Sequence, residues 1–244
     1  MKKIPAIYDY KNGNKGLAVL VDPDRYDTGK LKMVAELSNE NHVDFFLVGG
    51  SLTFTSIDDT IAELKKWTKL PVILFPGNVM QVSGLADGIL FISLISGRNP
   101  EFLIGQHVVA APEIRKSGIE VLPTAYILIE NGKRTSVEYM SSTVPIPASK
   151  PEIAIATAMA GEMLGFRLIY LEAGSGASQT VGLNLISGVR KNISCPLLVG
   201  GGIRSGGQLT DIYAAGADIV VAGNAIEENP ELIIELGQKK AVFR

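Results

Sequence analysis

The stretch PLLVGGGIRSGGQLTDIYAAGADIVVAG, which extends from Pro196 to Gly223, contains two short apolar runs that each end in glycine. Between these runs, Leu209, Ile212 and Tyr213 recur at the three- and four-residue spacing of an amphipathic helix. Short runs rich in Val, Leu and Ile are typical of parallel strands, which are buried on both faces. The stretch therefore predicts one strand–helix–strand unit of an α/β protein.

The same alternation of apolar runs and helical segments extends along the chain. The predicted strands are residues 17–22, 44–49, 71–76, 88–93, 120–129, 168–173, 196–201 and 218–223. Eight such units in a chain of 244 residues match a (β/α)8 barrel, the TIM-barrel fold. No Pro/Ser-rich linker divides the units, so residues 1–244 are predicted to form a single domain. The alternative is an open, doubly wound parallel sheet.

Two segments depart from this regular pattern. The stretch GNVMQVSGLAD, residues 77–87, is short for a full helix, so the third helix position is expected to be irregular. After the fifth strand, residues 130–150 begin with the turn signal Asn131-Gly132 and continue with alternating residues. We interpret this segment as a hairpin-like extension and a long loop over one barrel face, where long loops are often functional.

Composition excludes several classes of protein. The chain has 23 basic and 25 acidic residues, a formal net charge of -2 and no basic tract, so no nucleic-acid partner is expected. Its apolar runs are shorter than a membrane span requires. One cysteine, Cys195, cannot form an internal disulfide, and the first residues lack the apolar core of a signal peptide. These observations predict a cytoplasmic protein.

Glycine follows both of the last two predicted strands. In barrel enzymes the chemistry lies at the carboxyl ends of the strands, where all these glycines would meet. Gly200–Gly202 and Gly223 each precede the start of a predicted helix, and backbone amides at helix N-termini bind phosphate. The alternative is that the glycines only allow tight turns. The chain lacks both the P-loop pattern and the G-x-G-x-x-G pattern, so other glycine-rich phosphate motifs are excluded.

Oxygen ligands follow the first two predicted strands. Asp22 and Asp24 come after the first strand, and Ser51 follows the second. Carboxylate and hydroxyl oxygens are ligands that Mg²⁺ accepts, although an aspartate in this position also serves as a helix cap. The two histidines and the single cysteine are scattered without the spacing of zinc ligands. The sequence therefore favours a magnesium site over a zinc site.

Seven stretches occur in a characteristic order along the chain: LVDPD, LVGGS, LFPGN, SLISGRNPEFLIGQHV, YLEAGSGA, VGGGIRSG and VAGNAI. Together they resemble the geranylgeranylglyceryl phosphate synthase family over nearly the whole chain. The resemblance implies transfer of a polyprenyl group from its diphosphate to the C3 hydroxyl of sn-glycerol 1-phosphate, with release of pyrophosphate. Leu20 stands where the heptaprenyl-type members have lysine, which implies the second subgroup and a geranylgeranyl (C20) donor.

The resemblance also assigns roles to individual residues. Asp22 and Ser51 are expected to bind the Mg²⁺ that engages the diphosphate. The residues expected to surround glycerol phosphate are Tyr170, Leu171, Glu172, Ala173, Gly174, Ser175, Gly176, Gly201, Gly202, Gly223 and Asn224. Glu172 is expected to act as the general base that takes the proton of the glycerol hydroxyl. Alternatively, Glu172 has a structural role, in which it pairs with an arginine or caps a loop.

The remaining expectations concern the tail of the donor and the partners. Candidates for an apolar groove are Phe91, Leu94, Ile95, Phe102, Leu103 and Tyr126, and candidates for diphosphate contact are Arg98 and Asn99. The resemblance implies a homo-oligomer, either a dimer or a hexamer, and the lipid substrate implies transient membrane contact. Two alternatives stay open: a phosphosugar isomerase or epimerase that uses Asp22 or Glu172, and a non-catalytic barrel that binds a phosphate ligand.

Overall fold

Eight parallel strands form the centre of the structure, a computed structural model that describes residues 4, 7, 10 and 13–243. The strands are β1 (Gly16–Val21), β2 (Phe45–Val48), β3 (Val72–Leu74), β4 (Gly88–Leu94), β5 (Glu120–Leu128), β6 (Leu168–Glu172), β7 (Leu197–Gly200) and β8 (Ile219–Ala222). They pair in chain order, and β1 also pairs with β8, where Leu17 lies opposite Val220. The predicted (β/α)8 barrel is therefore confirmed, and the doubly wound alternative is wrong because that sheet would have two open edges.

Helices connect the strands and cover the outside of the barrel. They are α1 (Thr28–Glu40), α2 (Ile57–Trp67), α3 (Gln106–Ser117), α4 (Ser136–Ser141), α5 (Pro151–Met163), α6 (Leu183–Arg190), α7 (Gly206–Ala214), α8 (Asn224–Glu228) and α9 (Leu232–Ala241). Local sequence explains several of their starts. Asp27, Ser56 and Ser205 cap α1, α2 and α7 by accepting a hydrogen bond from a backbone N–H of the first turn.

The alternation of side chains along each strand divides the core into two layers. On β6, Leu168 and Tyr170 belong to the cluster inside the barrel, whereas Ile169 and Leu171 belong to the cluster between the strands and the helices. This follows from the period of two residues along a strand. The next inward position on β6 is Glu172, at the carboxyl end of the strand. A carboxylate therefore occupies an inward position, where the preceding inward residues of the strand, Leu168 and Tyr170, belong to the apolar cluster inside the barrel.

The third helix position is irregular, as predicted. Residues 75–87, between β3 and β4, form turns, bends and segments without regular structure in place of a helix. Gln81 in this segment is buried, and its side chain contacts the backbone of both Gly50 and Gly77. After β4, a π-helical turn over Glu101–Gly105 leads into α3. Deviations of this kind from α-helical geometry are common at functional sites.

The hairpin-like extension predicted after β5 is wrong. The alternating residues form α4, and a single parallel bridge, between Ile129 and Ile146, is the only strand-like pairing in the described residues 129–150. A capping box explains the difference, because Thr135 accepts a hydrogen bond from the N–H of Glu138 while the Glu138 side chain accepts one from Thr135. The long segment nevertheless reaches over the barrel, where Val137 of α4 contacts the inner core cluster.

Large apolar side chains are exposed at one part of the rim. Phe54 is 87% exposed and Met80 is 85% exposed, on the loops that follow β2 and β3. The Asp24 carboxylate accepts hydrogen bonds from the N–H groups of Phe54 at 2.9 Å and Thr55 at 2.7 Å, which holds the first loop in place. None of the helices formed by residues 13–243 combines the length and hydrophobicity of a membrane-spanning segment.

Candidate active site

A polar cavity of about 1140 Å³, counted out to open solvent, lies at the carboxyl ends of the strands. Ten of the residues predicted from the sequence line it: Asp22, Ser51, Tyr170, Glu172, Ser175, Gly176, Gly201, Gly202, Gly223 and Asn224. They come from the ends of β1, β2, β6, β7 and β8, which are far apart in the sequence. Closure of the barrel is what brings them together, as expected for this fold.

Three predicted residues do not line this cavity. Leu171 and Ala173 are buried in the outer core layer, because their side chains alternate with those of Tyr170 and Glu172. Gly174 acts through its backbone, since its N–H donates a hydrogen bond of 2.7 Å to Oε1 of Glu172. Residues 170–176, which the sequence predicted to surround the ligand as one block, are therefore divided between the cavity, the core and the loop.

Glu172 is a buried carboxylate, with 6% of its surface exposed. Burial raises its pKa from 4.5 to about 7, although the Gly174 N–H and the nearby Tyr170 hydroxyl favour the ionised form. The Tyr170 hydroxyl lies beside this carboxylate, yet among the described residues it has no partner in ordinary hydrogen-bond geometry. No ion pair of the described residues includes Glu172, so the pairing with arginine is wrong, while its contact with Gly174 does fit a loop cap. A pKa near 7 suits a general base.

Glycine is required after β7 for both steric and conformational reasons. Gly201 and Gly202 have φ values of 87° and 72°, in the left-handed region. A Cβ atom on Gly201 would lie 2.5 Å from Oε1 of Glu172, and one on Gly202 would lie 2.3 Å from the carbonyl oxygen of Gln179. The backbone after β7 therefore passes directly against the Glu172 carboxylate. The glycines do allow a tight turn here, and the turn also places backbone in the cavity.

Asn224 connects the loops after β6 and β8. Its Oδ1 accepts hydrogen bonds from the Ser175 hydroxyl at 3.0 Å and from the Gly176 N–H at 2.8 Å. Its Nδ2 donates to Glu227 at 3.1 Å, and Glu227 also lines the cavity. Asn224 is the first residue of α8, so a helix N-terminus lies at this end of the cavity. Ser175, Gly176 and Asn224, three of the predicted glycerol phosphate residues, thus form one connected part of the cavity wall.

Ser51 follows β2, across the barrel from β6, whereas Asp22 follows β1, which pairs with β8. Asp22 is half-buried, and burial raises the pKa of its carboxyl group, as expected for a charge with little compensation. Its Oδ1 accepts a hydrogen bond from the Asp24 N–H at 3.1 Å, which caps a short 3-10 turn. A Cβ atom on Gly50 would lie 3.3 Å from Oδ2 of Asp22, so the backbone next to Ser51 packs against this carboxylate. The cap interpretation is correct, and Oδ2 still faces the Ser51 loop.

A metal ion at this position would find few protein ligands. The residues that the structure describes contain no cluster of three or more His, Cys, Asp or Glu side chains. Mg²⁺ typically binds through one or two carboxylates and keeps positions for water and substrate phosphates. The half-buried carboxylate of Asp22 and the hydroxyl of Ser51, which lines the same cavity, fit that pattern, since both supply oxygen.

Cavity residues that the sequence did not point to include two arginines. Arg25 follows Asp24 in the 3-10 turn, and Arg204 follows the glycine run and pairs with Glu228 at 3.0 Å. A basic residue two positions after a glycine-rich strand end is a signal that could have identified Arg204. Arg98 and Asn99, which were candidates for diphosphate contact, instead donate hydrogen bonds to backbone carbonyl groups of residues 95–97 and 141.

An apolar groove of about 800 Å³, counted out to solvent, adjoins the polar cavity. Four of the six predicted groove residues line it: Phe91, Leu94, Phe102 and Tyr126. Ile95 and Leu103 are not part of the lining that the described residues form. The groove lies where a regular barrel would have a helix between β3 and β4. Val79 and Val82, from residues 75–87, form part of its wall. The sequence missed these residues because they lie outside any regular element.

Five residues line both the cavity and the groove: Gly50, Ser51, Phe75, Tyr126 and Val137. Aromatic rings form much of this junction. The ring centroids of Phe75 and Tyr170 are 5.5 Å apart, and those of Tyr126 and Tyr170 are 5.3 Å apart. The junction therefore joins a polar compartment with a buried carboxylate to an apolar groove.

Comparison with known proteins identifies the family. A model described as the PcrB family matches residues 12–240. The chain belongs to the PcrB family. Two relatives of this PcrB-family chain carry the name geranylgeranylglyceryl phosphate synthase. The relative from Spirosoma linguale is 49% identical over 230 residues, which cover 93% of this chain and 92% of the relative. The relative from Korarchaeum cryptofilum is 42% identical, with 93% and 94% covered.

Among solved structures, the PcrB-family chain is similar to (S)-3-O-geranylgeranylglyceryl phosphate synthase from Thermoplasma acidophilum. The TM-score is 0.91 at 31% identity, and the match covers 98% of both chains. That crystal structure contains sn-glycerol-1-phosphate as a bound substrate. The family resemblance predicted from the seven sequence stretches is therefore confirmed.

Proposed function

We propose that this protein is a geranylgeranylglyceryl phosphate synthase, which joins the geranylgeranyl group of its diphosphate to the C3 hydroxyl of sn-glycerol 1-phosphate. The observation that carries the proposal is the junction of two unlike compartments, one polar with a buried carboxylate and one apolar. A small phosphorylated acceptor fits the first, and a long isoprenoid fits the second. The names of the relatives and the ligand of the Thermoplasma structure support the same reaction.

Glycerol phosphate is proposed to bind between the ends of β6, β7 and β8. Gly201 and Gly202 bring backbone into this part of the cavity, and Asn224 places the N-terminus of α8 beside it. Backbone N–H groups at strand ends and helix starts are suited to a phosphate. Arg204 supplies a positive charge in the same wall, and Ser175 supplies a hydroxyl.

Glu172 is proposed to be the general base. Its carboxylate accepts the proton of the glycerol C3 hydroxyl while that oxygen bonds to C1 of the prenyl group, and the bond from C1 to the diphosphate oxygen breaks. The bonding pair leaves with pyrophosphate, so the step is balanced without a further reactant. A positioned base contributes a factor of roughly 10² to 10⁴ to the rate. The Gly174 N–H holds Oε1, which leaves Oε2 for the acceptor.

Asp22 and Ser51 are proposed to hold Mg²⁺ for the diphosphate. Bound magnesium would neutralise the charge that builds on the departing diphosphate. Support comes from the oxygen chemistry of both side chains and from the position of Ser51 at the junction, where the diphosphate must lie if the tail fills the groove; Asp22 lines the polar cavity next to it. A bound cation would also compensate the negative charge of the half-buried Asp22 carboxylate, whose pKa is raised by burial.

The surroundings of the enzyme are proposed from its surface. Residues 45–57 and 70–86 contain no charged side chain, and they carry the exposed Leu52, Phe54 and Met80 close to the groove. These side chains support transient membrane contact during transfer of the lipid. Exposed Val108 and Val109 on α3 support self-association, as a dimer or a hexamer. A cytoplasmic location is proposed because the single cysteine, Cys195, cannot form an internal disulfide.

The test is an assay with purified protein, Mg²⁺, radiolabelled sn-glycerol 1-phosphate and a panel of prenyl diphosphates. We expect label in the organic phase with the C20 donor, and loss of this transfer when EDTA removes the metal. The variant Glu172→Gln should lose turnover and still bind glycerol phosphate. Turnover of a sugar phosphate without a prenyl donor would favour the isomerase alternative and contradict the proposal. Size measurement by light scattering tests the oligomer, and vesicle sedimentation tests membrane contact.

A further inference from the structure

Gln81 is the one side chain of the described residues that hydrogen-bonds to the backbone of both the β2 loop and the β3 loop. Its Oε1 accepts from the N–H of Gly50 at 3.3 Å and from the N–H of Gly77 at 3.1 Å. Its Nε2 donates to the carbonyl oxygen of Gly50 at 2.8 Å. The residue is 2% exposed, so these bonds are shielded from water. A single amide therefore satisfies three backbone groups.

Ser51 lies on the β2 loop, the first of the two loops that Gln81 joins. Gly77 packs against this residue so closely that a Cβ atom would lie 2.7 Å from Cα of Ser51 and 2.3 Å from the carbonyl oxygen of Gly50. Gly50 in turn packs against the Asp22 carboxylate. The contacts form a continuous series from Gln81 through Gly50 to Asp22 and Ser51. A shift of the amide would move the Ser51 hydroxyl relative to Asp22.

The position of Gln81 explains why such a connection is needed. In a regular barrel unit, a helix after β3 would pack on the sheet and fix the loop before it, but residues 75–87 contain no helix. The groove that replaces the helix leaves the ends of β2 and β3 without that support. Gln81 lies within this segment and supplies hydrogen bonds to both strand ends.

We propose that Gln81 is a positioning residue, which fixes the Ser51 loop so that Ser51 and Asp22 together hold magnesium diphosphate. The inference rests on the proposed function. The primary amide supplies both the acceptor and the donor that this geometry uses, whereas an ionised carboxylate lacks the donor. Supporting residues around metal ligands change metal affinity by about 10- to 100-fold when they are replaced. The wall formed by β6–β8, which contains Glu172 and Asn224, has no hydrogen bond to Gln81 among the described residues.

The experiment compares wild type with Gln81→Glu and Gln81→Met. Glutamate keeps the two acceptor bonds but places a carboxylate oxygen against the Gly50 carbonyl group, whereas methionine keeps the shape and loses all three bonds. Thr60→Val is the matched control, because Thr60 is buried on α2 and its hydroxyl donates to the carbonyl oxygen of Ser56 without contacting Gly50 or Gly77. Circular dichroism and thermal unfolding first establish that each variant folds.

Three measurements follow on the folded variants. Calorimetric titration with inorganic pyrophosphate and Mg²⁺ should show at least about tenfold weaker binding for both Gln81 variants. Titration with sn-glycerol 1-phosphate should change less than about twofold, because that site lies on the other wall. Hydrogen exchange should become faster at Gly50 and Gly77, whose N–H groups lose their acceptor in Gln81→Met. Prenyl transfer should need a correspondingly higher magnesium concentration.

The outcomes separate this inference from the proposed function. Pyrophosphate binding that is unchanged in Gln81→Met, or that falls equally in Thr60→Val, overturns the positioning role. An equal loss of glycerol phosphate binding also overturns it, because it indicates general destabilisation. A wild type that binds magnesium pyrophosphate but transfers no prenyl group contradicts the proposed function alone. A wild type that does not bind magnesium pyrophosphate overturns the inference as well.

Discussion

Replacement of Glu172 by glutamine should stabilise the protein as well as inactivate it. Burial raises the pKa of this carboxyl group from 4.5 to about 7. Each unit of pKa shift corresponds to about 1.4 kcal/mol, so the ionised form costs about 3 kcal/mol in the folded state. Glutamine has nearly the same shape and carries no charge, so Oε1 can still accept the Gly174 N–H. The cost of burying the charge disappears in the variant.

The direction of the pH dependence follows from proton binding. Below pH 4.5 both the folded and the unfolded wild type keep the proton on Glu172, and the group has no effect on the free energy of unfolding. Between pH 4.5 and about 7 the unfolded chain releases this proton first, so wild-type stability falls as pH rises. Above about pH 7 the full cost is present. Glu172→Gln should therefore gain stability relative to wild type as pH increases from 5 to 8.

The assay is denaturant unfolding followed by circular dichroism at pH 5, 6, 7 and 8. The gain of about 3 kcal/mol at pH 8 corresponds to about 6 to 12 °C in melting temperature for a domain of this size. Glu162→Gln is the control, for which we expect the opposite change in unfolding free energy as pH rises. Although burial opposes it, hydrogen bonds from Ser194 and Cys195 lower the pKa of Glu162, so its replacement should cost more stability at pH 7 than at pH 4.

A constant difference in unfolding free energy between wild type and Glu172→Gln across pH 5–8 would refute this reasoning. It would mean that the carboxyl group has an ordinary pKa in the folded protein. The wild-type rate of prenyl transfer gives a second check, since it should rise with pH toward about 7 as Glu172 ionises. Loss of activity by about 10² to 10⁴ together with the gain of stability would mark Glu172 as a residue kept for function.

Three further predictions concern the other parts of the site. Asp22→Asn should weaken the binding of magnesium pyrophosphate at least tenfold, measured by calorimetry, and leave glycerol phosphate binding within about twofold; equal affinity for magnesium pyrophosphate would exclude Asp22 as a ligand. Gly201→Ala should cost roughly 1–3 kcal/mol in stability and weaken glycerol phosphate binding, because φ is 87° and the new Cβ would approach Glu172 at 2.5 Å. Phe54→Ser should reduce sedimentation with vesicles while leaving stability within about 0.5 kcal/mol, since the side chain is 87% exposed; unchanged sedimentation would place membrane contact elsewhere.

The fold could be predicted because the strands are buried on both faces. Continuous apolar runs such as LIYL in β6 identified each strand, and their number identified the barrel. The segment after β5 was interpreted wrongly because alternation in SVEYM resembles a strand. The capping residues Thr135 and Glu138 were the better signal, since a capping box satisfies two backbone groups at a helix start.

The site was predictable in part, for a similar reason. Residues at strand ends, such as Asp22 and Asn224, meet in any closed barrel, so their position in the sequence was sufficient. The groove wall was harder to predict, because Val79 and Val82 lie in a segment without regular structure. Gln81 gave no signal either, since a buried amide has a defined role only when its three backbone partners are known.

The limited overlap between the cavity and the groove has a kinetic consequence. Within the part of the chain that the structure describes, the two compartments share only Gly50, Ser51, Phe75, Tyr126 and Val137. Each therefore has walls of its own, and neither depends on the other being filled. We expect the acceptor and the donor to add in random order, and each to bind the free enzyme when titrated alone. An enzyme built in this way can respond to the supply of either substrate, because no obligatory first ligand limits access to the second.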